Sequence, residues 1–151
     1  MPVVDVQNNQ SRKFNMSLEY KEHSFEAILV LKRVENEWRI AGLSQFGLML
    51  FDFSLEYDPK SNKSNFVVRH IIPDMKRDEI VSMLEQDFAF LLLPKRKFRS
   101  IKSMESGTFF KFGRFWKKTE IMVSAKGNFK QKVELKHPMI GVRINLSEIR
   151  K

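Results

Sequence analysis

A chain of 151 residues, 42% hydrophobic and 30% charged, is long enough to close a core without disulfides or a structural metal. Cysteine is absent, which excludes disulfides, thiol nucleophiles and cysteine-type zinc sites, and no apolar run is long enough for a membrane-spanning helix. The net charge of +9 is uneven: residues 1–60 hold seven Lys/Arg against nine Asp/Glu and residues 61–151 hold twenty against nine, an asymmetry that fits either one basic face for an anionic partner or lysines scattered for solubility.

Residues 1–11 are polar and without period and are expected to form a loose N-terminal arm ahead of a single domain over residues 12–151. From Arg12 to Tyr20 the residues Phe14, Met16, Leu18 and Tyr20 alternate with polar neighbours, which predicts a strand with one buried face. A turn at Lys21–His23, a strand from Ser24 to Val34, a turn at Glu35–Glu37 and a strand from Trp38 to Leu43 follow. Trp38 to Asp58 is the most apolar stretch and organises the chain. Met49, Phe51, Phe53, Leu55 and Tyr57 face one way there, while Asp52, Ser54 and Glu56 face the other. Phe46, Leu48 and Leu50 read as a second covered face, with Gly42 and Gly47 as bends. Asp58–Asn62 is a turn, and Asn65–Ile72 resumes the strand period.

The period then changes. Between Lys76 and Leu93 the residues Ile80, Val81, Leu84, Phe88, Leu91 and Leu92 fall on one helical stripe, with Asp74 as the predicted N-cap and Pro94 as the stop. Alternation returns over Thr108–Trp116, Thr119–Ala125, Phe129–Lys136 and Ile140–Leu146. The predicted fold is mainly β: a strongly curved antiparallel sheet, an open or half barrel of about eight to eleven strands, wrapped around one main helix. The fourteen phenylalanines read as a thick sheet core, with a lipid- or ligand-lined cavity as the alternative.

Catalytic signatures are missing. His23, His70 and His137 are not at metal-ligand spacing, and there is no phosphate loop or nucleophile elbow. The carboxylates of Glu85 and Asp87, and of Asp52 and Glu56, read as solvated pairs, so no enzyme activity, cofactor or metal is expected. Basic and aromatic residues interleave from Lys95 to Lys118, which admits a nucleic-acid surface; only Phe112-Gly113-Arg114-Phe115 offers a fragment of the RNA-recognition pattern.

The stretch Ala41-Gly42-Leu43-Ser44-Gln45-Phe46-Gly47, continuing to Tyr57, together with Phe90-Leu91-Leu92-Leu93-Pro94 at the helix end, resembles the LolA/LolB-like superfamily over roughly Phe25 to Pro94. The likeness is to its uncharacterised outer-membrane lipoprotein branch. This resemblance implies an apolar cavity between curved sheet and helix that takes acyl chains or lipoproteins, in a monomer associated with the outer membrane on its periplasmic side. An export signal and lipidated cysteine would then have been removed ahead of the sequence given. On that reading the cavity residues are Leu48, Leu50, Phe51, Phe53, Leu84, Phe88, Phe110 and Phe112. Lys95, Arg96, Lys97, Arg99 and Lys102, interrupted by Phe98 and Ile101, are expected to form a rim loop facing an anionic membrane surface. The alternative is a basic interaction module that binds nucleic acid or a protein partner.

Overall fold

A computed structural model describes residues 3–93, 100–104, 107–112, 119–124, 131–138 and 140–149. In chain order the elements are β1 (Ser11–Tyr20), β2 (His23–Val34), β3 (Glu37–Leu43), β4 (Met49–Asp58), β5 (Lys63–Ile71), a 3-10 turn (Pro73–Met75), α1 (Asp78–Leu92), β6 (Ser100–Met104), β7 (Gly107–Phe112), β8 (Thr119–Ser124), β9 (Lys132–His137) and β10 (Val142–Glu148). Among the described residues the fold is mainly β with one α-helix. The strand order is β5-β4-β3-β2-β1-β10-β9-β8-β7-β6, and the registered pairs are antiparallel. The chain divides into two compact units, Met1–Lys13 with Ile28–Arg96 and Phe14–Ala27 with Lys97–Lys151.

In the first unit, the register of β2, β3 and β4 lines up Leu31, Ile40 and Phe53 in one row and Leu29, Gly42 and Phe51 in the next. All these side chains are buried, and α1 lays Ile80, Leu84, Phe88, Leu91 and Leu92 into the same core. The Phe88 ring lies 6.4 Å from that of Phe53, so the helical stripe does face β4. The helix starts later than its stripe predicts. Asp74 sits in the 3-10 turn, anchored by buried Met75, while Arg77 is the N-cap residue and forms no side-chain cap. Asp78 and Glu79 in the first turn favour the helix N-terminus through its dipole instead.

The N-terminal segment is not loose. Val4 and Val6 are buried, and the Val4 amide donates to the carbonyl of Leu91 at 2.9 Å, taking up one of the carbonyls a helix end leaves open. Arg33 holds the segment from the other side. Its Nη1 donates to the Val6 carbonyl at 3.2 Å, its guanidinium lies 4.8 Å from the Trp38 ring centre, and its backbone bonds to Asn9 and Gln10. Hydropathy patterning misses such a segment because two valines show no period.

Two irregularities decide which side chains reach the core. Phe53 pairs with Val68 and Asp52 with His70, so Arg69 is an extra residue in β5. That bulge returns Ile71 to the core face and sends His70 outward. Arg69 then donates to the Ser54 hydroxyl at 2.5 Å, which leaves Ser54 buried although its alternation predicts a wet position. The second irregularity makes Leu50 an extra residue in β4, between the pairs Gly42–Phe51 and Leu43–Met49.

The β4–β5 turn closes on Asp58, whose carboxylate accepts from the Lys60 amide at 3.0 Å and the Ser61 hydroxyl at 2.9 Å. The Ser61 hydroxyl first, and then the Lys60 amide, hold its pKa below the ordinary aspartate value. A carboxyl whose folded pKa is depressed stabilises the fold above its unfolded pKa and loses that contribution as pH falls through the folded one. Acid titration followed by NMR is therefore expected to give Asp58 a midpoint below 3.8, rising in Ser61→Ala.

In the second unit, register carries one apolar row through Leu18, Ile144, Leu135 and Ile121 and another through Met16, Leu146 and Val133. All seven are buried. Strand β6 lies in a segment read as a rim loop: Ser100–Met104 pairs with β7, placing Lys102 opposite Phe109.

Candidate functional site

The connection between β3 and β4 is built from a run, Ile40 to Phe51, that contains no charged residue. The nearest charges along the chain, Arg39 and Asp52, pair with each other through two hydrogen bonds of 2.9 and 3.1 Å. Within the turn the Ser44 amide donates to the Leu48 carbonyl at 2.8 Å and the Gly47 amide donates to the Ser44 carbonyl at 3.0 Å. The Ser44 hydroxyl accepts from the amides of Phe46 at 3.3 Å and Leu48 at 3.1 Å. Gly47 has φ of +82°, a left-handed conformation that glycine takes without a Cβ penalty.

The result is a turn whose amides at Ser44, Phe46, Gly47 and Leu48 are all bonded within itself, yet whose side chains point outward. Phe46 is 93% exposed, Leu48 69% and Met49 42%. The base is tied to the end of β5: the Ile72 amide donates to the Leu50 carbonyl at 3.0 Å, and His70 Nε2 donates to the Met49 carbonyl at 3.2 Å. With those four amides already bonded, a turn carrying bare apolar side chains strands fewer polar groups when it leaves water.

This corrects the expectation of a second covered face. Phe46 and Leu48 belong to a projecting turn rather than to a strand, because Gly47 reverses the chain before alternation can continue. Leu48 is therefore exposed, unlike Phe51, Phe53, Leu84 and Phe88, and Leu50 is half-buried at its bulge. Phe51, Phe53, Leu84 and Phe88 are brought together, with Phe51 and Phe53 stacked at 4.8 Å and Phe66 tilted 5.0 Å from Phe53. The side chains of Phe110, Phe112 and Lys102, and residues Lys95, Arg96, Lys97 and Arg99 altogether, lie outside the described residues.

On the second unit, Phe109, Met122, Glu120, Glu134 and Lys136 line a shallow groove of about 190 Å³ on the face opposite the apolar rows. Lys111 approaches Glu120 at 4.0 Å and Lys136 approaches Glu134 at 3.0 Å. A groove with two carboxylates among its lining lacks the uniform positive charge that tracks a phosphate backbone.

Other candidates for chemistry disperse. Asp87 is 2% exposed, so Glu85 and Asp87 are not a solvated pair; Glu85 faces solvent. Asp52 is committed to Arg39, away from Glu56. His137 is buried with its Nδ1 3.2 Å from the Thr119 hydroxyl, His70 binds the Met49 carbonyl, and His23 opens β2. No group of three metal-ligating side chains occurs among the described residues. No protein-family model and no curated protein matches the chain.

Proposed function

We propose that this protein is a lipid- or lipoprotein-binding module that works by binding rather than catalysis and meets the membrane through its β3–β4 turn. The observation that carries the proposal is the pairing of exposed Phe46 and Leu48 with a turn backbone bonded within itself. Burying each side chain contributes about 1.5–3 kcal/mol, so the two together support reversible attachment to an interface. The charge-free run around them adds no charge-desolvation penalty.

The acyl seat in this reading lies between α1 and a sheet that curves around it, with Phe51, Phe53, Leu84 and Phe88 as its walls. The resemblance to the LolA/LolB-like superfamily supports that part, as it supports placement at the outer membrane on the periplasmic side.

Co-sedimentation with phosphatidylcholine vesicles tests the turn. The native chain is expected to bind neutral vesicles and to keep binding as salt is raised, since the turn is uncharged. Replacing Phe46 and Leu48 together with Ser is expected to weaken binding by about a hundredfold. Ser44→Ala is expected to weaken it less, by loosening the turn. Binding to anionic vesicles alone that fades with salt would transfer the role to the basic residues from Lys95 to Lys102. Unchanged binding in the double variant would overturn the proposal.

A further inference from the structure

We propose that β5 is a docking edge for an extended segment of a partner protein, one whose side chains alternate between apolar and acidic. Strand β5 stands last in the strand order, paired with β4 on one side and, among the described residues, with no strand beyond it. Edges of this length are normally shielded, because their free amides and carbonyls accept another strand. Here the bulge at Arg69 makes one end irregular and Lys63 sets a charge at the other, whereas 64–68 pairs regularly and contains neither proline nor a charge.

The two faces of that regular stretch specify the partner. Ser64, Phe66 and Val68 lie opposite Tyr57, Leu55 and Phe53 and continue the apolar layer, yet Val68 is 38% exposed and Phe66 only half-buried. The layer stops one column short of cover. On the other face lie Lys63, Asn65 and Val67, with Val67 37% exposed and Arg69 following. β5 carries no acidic residue; the nearest across the ladder, Glu56 and Asp58, belong to β4.

An added strand therefore meets apolar neighbours on one face and, on the other, Lys63 and Arg69 at the two ends with Asn65 and Val67 between them, and strand addition reads alternate side chains in this way. A second copy of this edge is a poor occupant: it would bring the Lys63 and Arg69 of both copies together, and facing like charges are destabilising.

The test uses the full chain and a fluorescein-labelled, acetylated peptide of alternating Val and Glu. Two matched peptides serve as controls, one with Lys for Glu and one with the same residues in blocks. The alternating Val/Glu peptide is expected to bind and to slow amide exchange at Phe66, Val67 and Val68, and Lys63→Glu is expected to weaken it about fivefold. Val68→Lys, which sets a charge in the apolar layer, is expected to abolish binding while circular dichroism is retained. Equal binding of the Lys or block peptide, or protection confined to residues outside β5, would overturn the proposal.

Discussion

Phe53→Ala is expected to lower the free energy of unfolding by about 3–5 kcal/mol, the largest single effect in the first unit. Phe53 is wholly buried, and its ring meets Phe51 at 4.8 Å, Phe66 at 5.0 Å and Phe88 at 6.4 Å. Those neighbours come from β4, β5 and α1, so no one of them can move into the space without dragging its own element. Phe66→Ala at the half-buried edge is expected to have a smaller effect. Urea denaturation of both variants measures the difference. A loss below about 1 kcal/mol for Phe53→Ala would mean that the cluster is not close-packed. If the acyl seat adjoins the cluster, adding a long-chain fatty acid should restore part of the lost stability by binding the native state.

Gly42→Ala carries the second large effect, expected to destabilise by about 1–3 kcal/mol through overpacking. Gly42 sits inside β3, directly opposite Phe51, and a Cβ built on it falls within 3.0 Å of three carbons of the Phe51 ring. That ring cannot swing aside, since it is buried and stacked on Phe53. Glycine is thus required because an aromatic ring lies across its backbone, beside the register shift at Gly42 and Leu43. Phe51→Leu should relieve the clash, so Gly42→Ala should be far less harmful in that background. A double-mutant cycle by thermal melting checks this. Simple additivity of the two substitutions would show that the contact is not the cause.

Much of the β architecture was legible in the sequence where a strand buries one whole face. Phe14, Met16, Leu18 and Tyr20 are all buried, as are Val142, Ile144 and Leu146, and their alternation is unbroken. The helical stripe was legible for the same reason. What escaped were the places where one extra residue or one turn changes parity. The extra residues Leu50 and Arg69 shift the faces of β4 and β5, and a bulge leaves no mark in hydropathy. Phe46 and Leu48 escaped because an exposed apolar turn and a covered strand share the same composition; the absence of charge from Ile40 to Phe51 combined with Ser44 and Gly47 was the available clue. Short β6 was hidden because its first residues, Ser100 to Lys102, end the basic run that reads as a loop.

The seat of Val4 bears on the order in which the chain can fold. Val4 is synthesised long before Leu91, whose carbonyl receives its amide, so that contact must wait until α1 has been made. Closing so long a loop is entropically unfavourable until the intervening meander has brought its ends together. The N-terminal segment is therefore placed to dock late, after β2 to β5 have paired and α1 has found β4. Contacts made after the folding transition state govern the rate of unfolding more than that of folding. The few bonds that hold Val4 and Val6 thus set how long the finished first unit survives, rather than how fast it forms.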